Sequence, residues 1–334
     1  MNLRCALWEV RGVTVAAAVC AAQTLATGAM ASVPAYVPTG TFALPSAASV
    51  FDVGADGRAL VVREDGLVLR QDGVNGSAYS AVGSLPAGLV PGFGAGFVRL
   101  SPDGSRFAVG DNGTVNQMWV VPTAGLSTGG PTAVQTVDVP NFDAAWTAGG
   151  RLYVNGSGSF GSPPSLYRVD VTTGASAEVV MGIGDGSGGV AAHGGRVYTA
   201  IGYDASPGGA SAGLTRSFDA AMLDAAAGAV AFSTGDFAAQ ANSGSSLAFD
   251  AGGDLVVAGF GGVAVFDLAT AERYDLPGLS AFGFYSAEWN GVMGEILVRD
   301  FGSATVARYG VPAPSALGLA GVFGVLAARR RRHG

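Results

Sequence analysis

The chain has 334 residues, 25 acidic against 18 basic side chains, a formal net charge of −7 and 54 glycines; every basic residue other than histidine is arginine. A balance this acidic excludes a protein built to neutralise the phosphate backbone of a nucleic acid, which needs clustered positive charge. Cys5 and Cys20 are the two cysteines, and both precede residue 32, so the chain beyond has neither a disulfide nor a thiolate metal site available to it.

At the N-terminus, Arg4 and Arg11 precede an apolar stretch from Val13 to Ala22, and Ala29-Met30-Ala31 supplies the small-residue pattern that signal peptidase reads. The pattern predicts a secretory signal peptide over residues 1–31, cleaved after Ala31. Pro34 and Pro38 follow at once, which argues against a buried first helix. Glu9 and six of the 18 basic residues lie outside 32–310, so that span holds 24 acidic and 12 basic side chains, a net charge near −12.

From residue 32 to 310 the apolar residues come in short runs of three to five, separated by Gly, Asp, Asn and Ser. Runs of this length, so punctuated, predict strands and tight turns, with helix scarce. One unit, a strand, a glycine-containing turn and a second strand, recurs six times. It is clearest in Phe51-Asp-Val-Gly-Ala-Asp-Gly-Arg-Ala-Leu-Val-Val62 and Leu247-Ala-Phe-Asp-Ala-Gly-Gly-Asp-Leu-Val-Val257. The second strands begin at Leu60, Phe107, Leu152, Val197, Leu255 and Ile296, at intervals of 47, 45, 45, 58 and 41 residues. A period in the forties with several short strands per unit predicts a β-propeller, with six blades; a β-helix or β-sandwich is the alternative. Third strands are predicted at Leu67–Leu69, Gln117–Val121, Leu166–Val169, Ser217–Leu223, Val263–Phe266 and Thr305–Tyr309. Turns at Asp170–Gly174 and Asp224–Gly228 lead into fourth strands. Gly40–Leu44 is placed to complete the last blade, and Ser206–Gly213 reads as a flexible loop that lengthens the 58-residue interval. With its Phe-Asp-x-x-Gly-Asp-Leu-Val-Val and Val-Phe-Asp-Leu-Ala-Thr, the unit from Leu247 to Arg273 resembles repeats of the broad NHL and SMP-30-like propeller group, which implies architecture and nothing about activity.

Catalytic constellations are scarce. His193 is the one histidine between residues 32 and 310; it stands at a turn, without a Gly-x-Ser-x-Gly frame to pair with, and reads as a solvated turn residue. The Asp-rich turns at Asp52–Asp56, Asp103-Gly104, Asp111–Gly113 and Asp185-Gly186 lack the spacing of a calcium loop and suit hairpin turns. No metal and no cofactor is expected. Within the aligned first strands one position reads Val53, Leu100, Trp146, Ala191, Phe249 and Trp289, apolar throughout, which places Trp146 and Trp289 in the core. The neighbouring position reads Asp52, Arg99, Ala145, Val190, Ala248 and Glu288. Copies one, two and six are consecutive in a closed ring, so Asp52, Arg99 and Glu288 are predicted to cluster at the central channel. Such a cluster is either a ligand site or an inter-blade salt bridge.

The chain ends with Pro312-Ala313-Pro314, an uncharged apolar run over 315–328, and Arg329, Arg330, Arg331 and Arg332. As a helix the 14-residue run covers roughly 21 Å, short of the ~30 Å hydrocarbon core, and the arginines belong on the cytoplasmic side. Residues 311–334 resemble the PEP-CTERM sorting tail of Gram-negative bacteria, with Ala313 standing where that motif usually has glutamate. The resemblance implies processing by an exosortase, a transient inner-membrane anchor, and a final place at the cell surface or in an extracellular matrix of exopolysaccharide or another surface polymer. A plain C-terminal membrane anchor is the alternative. The expected function is binding or scaffolding by an exported propeller, with signal peptidase and the exosortase-like enzyme as processing partners; the alternative is a secreted glycan- or lactone-active hydrolase or lyase working with carboxylates.

Overall fold

The computed structural model describes residues 35–85, 96–110, 116–126, 134–158, 162–184, 186, 188–204 and 209–311. The expected signal peptide (residues 1–31), the expected sorting tail beyond Val311, Asp111–Gly113, Asp185 and part of the Ser206–Gly213 loop lie outside the described residues.

Strand β1 (Val37–Ala43) stands apart from the repeat that follows it in the chain. Blade 1 is β2 (Val50–Val53), β3 (Ala59–Val62), β4 (Leu67–Gln71) and β5 (Tyr79–Ser84). Blade 2 is β6 (Val98–Leu100), β7 (Arg106–Gly110), β8 (Gln117–Pro122) and β9 (Gln135–Asp138). Blade 3 begins with β10 (Asp143–Trp146), β11 (Leu152–Gly156), β12 (Ser165–Val169) and β13 (Ser176–Met181). Blade 4 is β14 (Val190–His193), β15 (Arg196–Ala200), β16 (Leu214–Asp219) and β18 (Asp236–Gln240); between its last two strands run α1 (Ala220–Ala225) and β17 (Val230–Ala231). Blade 5 is β19 (Ser246–Phe249), β20 (Leu255–Gly259), β21 (Gly262–Phe266) and β22 (Arg273–Asp275). Blade 6 is β23 (Tyr285–Asn290), β24 (Glu295–Asp300) and β25 (Thr305–Gly310), completed by β1 as its outer strand.

The fold is an all-β propeller of six blades, and the chain closes its own ring: β1 runs antiparallel to β25, with Val37 opposite Gly310 and Phe42 opposite Val306. The second strands are apolar without alternation because both faces of a blade are covered by its neighbours. All four residues of β3 and all five of β11 and β20 are buried. The core is accordingly divided into six apolar clusters, one between each pair of adjacent blades. Between blades 1 and 2, for example, Leu60, Val62 and Val68 meet Phe107, Val109 and Val121. Between blades 6 and 1, Phe42, Leu297 and Val306 meet Phe51 and Val61, which makes the closure an apolar joint as well as a hydrogen-bonded one.

The recurring Asp-Gly turn follows from backbone sterics. Gly57 (φ 76°) and Gly104 (φ 67°) occupy the left-handed region that a Cβ disfavours. The preceding aspartates hold the turns: Asp103 accepts from Ser101 Oγ at 2.6 Å and Ser105 N at 3.0 Å, and Asp56 pairs with Arg58 at 2.7 Å and Arg70 at 2.5 Å. Among the described residues no group of side chains is arranged to hold a metal ion.

Blade 4 departs from the expected pattern. The strand predicted over Ser217–Leu223 stops at Asp219, whose side chain caps α1 by accepting from Met222 N at 2.8 Å. The capped, alanine-rich segment Ala220-Ala-Met-Leu-Asp-Ala225 prefers helix. Beyond it β17 pairs in parallel with β13, Val180 opposite Val230, and gives blade 3 a fifth strand. This excursion from 220 to 235, in addition to the Ser206–Gly213 loop, accounts for the long fourth interval.

Candidate binding site in the central channel

The innermost strands β2, β6, β10, β14, β19 and β23 line the channel, one from each blade, and a belt of polar contacts joins them. Asp52 of blade 1 accepts from Leu100 N of blade 2 at 2.6 Å and from its neighbour Val53 N at 2.7 Å. Arg99 Nε donates to Ala144 O of blade 3 at 3.0 Å, while Trp146 Nε1 donates back to Arg99 O at 2.9 Å. Asp143 of blade 3 accepts from Val190 N of blade 4 at 2.9 Å, and Gly189 N of blade 4 donates to Gly244 O ahead of blade 5 at 2.7 Å. Ser246 Oγ of blade 5 lies 3.3 Å from Ala287 N of blade 6. Arg99 also pairs with Asp143 of the adjacent blade 3 at 2.6 Å and with Glu288 of blade 6.

Arg99 and Glu288 are thus in contact, and Asp52 acts electrostatically on both. Asp143 is a fourth member that the sequence alignment passes over. It lies two residues ahead of the aligned position, where the six copies read Val50, Phe97, Asp143, Gly188, Ser246 and Ser286; a single charge in an otherwise small or apolar column was the available signal.

The cluster holds three carboxylates and one guanidinium, nearly enclosed: Arg99 and Glu288 side chains are each 12% exposed and Asp143 3%. Burial pushes the Glu288 carboxyl well above the usual range; the attraction of Arg99 opposes this, and repulsion from Asp52 and Asp143 adds to it. Asp52 and Asp143 are also raised, by burial first, with Arg99 pulling the other way. For Arg99 burial favours loss of the proton, but Asp143, Glu288 and Asp52 outweigh it and hold the guanidinium charged. One cation thereby stabilises up to three buried anions, and removal of that cation leaves charge in a medium that solvates it poorly.

Arg99 and Glu288 form the floor of two openings. On the side where the inner strands begin, a cavity of about 130 Å³ is lined by Phe97, Phe142, Ser246 and Phe284. Where those strands end, a wider bowl of about 350 Å³ is lined by Trp146, His193, Phe249, Asp250 and Trp289. Leu100, Pro102 and Trp289 are shared between this bowl and a neighbouring groove of about 610 Å³. The tryptophans therefore correct the sequence reading. Both are only half-buried; they pack one side against the inter-blade clusters and turn another to the bowl. Their register is apolar, as expected, but they stand at the C-terminal ends of β10 and near that of β23, where the channel opens. His193 is exposed and its ring stacks on Phe249 with centroids 4.6 Å apart and planes at 19°; it is part of the bowl rather than an isolated turn residue.

Fold and site together define a β-propeller whose central channel is closed midway by an ion-paired cluster. No protein-family model matches the sequence, and no curated protein matches it. Among solved structures, the chain is similar to the WD40 β-propeller domain of Doa1, with 14% identity, 84% of this chain and 98% of that chain covered, and a TM-score of 0.48. It is also similar to a chain of the nidogen/laminin complex, with 12% identity, coverage of 71% and 82%, and a TM-score of 0.51. At such identities the likeness concerns the fold alone.

Proposed function

We propose that the protein is exported and sorted to the cell surface through a PEP-CTERM-type tail, and that there its propeller binds a surface polymer, exopolysaccharide being the expected class. The observation that carries the binding reading is the bowl with its adjoining groove: two indole rings and an acidic floor at a channel mouth, continuous through Trp289 with a larger depression. Aromatic faces beside a few polar groups in a concave site are the usual means of holding a ligand. The export reading rests on Ala29-Met30-Ala31 at one end and Pro312-Ala313-Pro314 with Arg329–Arg332 at the other. It is tested by the mass of the protein from its native host. An N-terminus at Ser32, a C-terminus near Pro314 and recovery from the envelope or medium are expected. A full-length mass from Met1 to Gly334 in the cytoplasmic fraction would refute it.

A second reading, a carboxylate-based hydrolase or lyase, draws on the raised Glu288 beside Asp52, since paired carboxyl groups with displaced titrations serve as acid and base. Against it, Asp52 is occupied by two backbone amides and Glu288 is clamped by Arg99. Binding without turnover accounts for both observations.

A further inference from the structure

We infer that the bowl bounded by Trp146 and Trp289 binds an ammonium-bearing group, such as the amine of an amino sugar. This rests on the binding reading above and names the ligand chemistry.

Three features of the bowl point the same way. The first is charge. Its floor joins Asp52 and Glu288 to a single guanidinium, that of Arg99, and Asp250 lines the wall. Among the described residues no arginine other than Arg99 lines the bowl, against three carboxyl groups, Asp52, Asp250 and Glu288, a balance that disfavours an anionic ligand. The second is aromatic lining. Trp146 comes from blade 3 and Trp289 from blade 6, which are opposite one another in a ring of six, and Phe249 of blade 5 stands between them with His193 stacked on it. Ring faces carry partial negative charge and attract a cation within about 6 Å, most strongly when it is an indole and the cation is partly desolvated. The third is asymmetry around the channel. The position that carries Asp52, Arg99 and Glu288 on blades 1, 2 and 6 carries Ala145, Val190 and Ala248 on blades 3, 4 and 5. The small side chains leave space opposite the charged half. A ligand with a cationic edge and an apolar face fits that division, and a volume of about 350 Å³ falls within the lower part of the range for small-ligand sites.

The test is calorimetric titration of the full chain at pH 7 with glucosamine, tetramethylammonium, glucose and N-acetylglucosamine. Glucosamine and tetramethylammonium are expected to bind at one site, with glucose and N-acetylglucosamine at least ~10-fold weaker. Trp289→Ala should weaken glucosamine binding about 10-fold or more. Trp289→Phe, which keeps a ring in place, should recover part of the loss. A circular-dichroism melt of each variant checks that the fold persists. Equal affinity for glucosamine and glucose overturns the inference. So does cation binding that Trp289→Ala leaves untouched in a folded protein. If the four small probes fail to bind while the host's polymer is retained, the ammonium assignment falls and the binding reading stands; if the polymer fails as well, both fall.

Discussion

Replacing Arg99 by methionine removes the only cation of the central cluster while keeping most of the stem's apolar volume. Glu288 and Asp143 each lose an ion pair in a site where their side chains are 12% and 3% exposed. Breaking a buried pair by removing one partner costs about 3–5 kcal/mol. For a chain of this size that corresponds to a fall in Tm of roughly 6–15 °C at about 2–3 °C per kcal/mol. The effect is pH-dependent with a definite sign. Without Arg99 the folded-state carboxyls rise still further above their unfolded values, so the folded variant binds more protons than the unfolded chain, and its stability is lost as pH rises through the folded pKa values. The deficit relative to the parent is therefore largest near pH 7 and shrinks toward pH 4. Adding Glu288→Gln to Arg99→Met should recover part of the loss at pH 7, because one stranded anion is gone. Urea unfolding of the parent, single and double variants at pH 4, 5.5 and 7 measures all of this. A single variant within about 1 kcal/mol of the parent at pH 7, or a deficit that does not vary with pH, would show that Arg99 is not what holds the buried carboxylates.

Asp254 offers an independent pH test. Burial, with Asp250 and Asp267 nearby, pushes its carboxyl up to about 6, so the native state is penalised above that pH and not below about 4; Asp254→Asn should raise stability by on the order of 1 kcal/mol at pH 7–8, after allowance for solvent screening, and leave pH 4 unchanged in thermal melts. Deleting residues 37–43 removes the outer strand of blade 6 and uncovers the apolar joint of Phe42 with Phe51 and Val306; loss of a single cooperative unfolding transition is expected, and an unchanged melt would contradict closure by β1. Phe107, fully buried between blades 1 and 2, should cost about 3–5 kcal/mol on replacement by alanine, read from urea unfolding. In the native host Ala313→Glu, which installs the residue usual in the proposed sorting motif, should increase the fraction of protein processed near Pro314 by mass spectrometry.

Much of the ring was legible because the repeat fixes it. The turn glycines and the apolar second strands recur at blade spacing, and the same alignment that counts six blades places Asp52, Arg99 and Glu288 on neighbouring inner strands. What escaped has identifiable causes. Asp143 reaches Arg99 from two residues earlier on β10, because a long guanidinium side chain spans more than one rung of a strand and a column-by-column alignment does not. For Trp146 and Trp289, period-two register tells which way a side chain points but not how far along the channel it stands, and depth decides whether an inward ring is covered. The sequence pattern predicts strand through Leu223 because Ser217-Phe218-Asp219 continues the β alternation, while the capping aspartate and following alanines belong to a local helix preference that overrides it. The sequence around His193 shows only a turn, because its stacking partner Phe249 is 56 residues away on the next blade.

The most direct measurement of the central claim is equilibrium binding of the host's surface polymer to the protein purified from that host, followed by sizing of the polymer. Saturable binding, weakened about 10-fold or more by Trp289→Ala and leaving the polymer chain length unchanged, is the predicted result. Binding indifferent to Trp289→Ala, the absence of binding, or shortening of the polymer would contradict it.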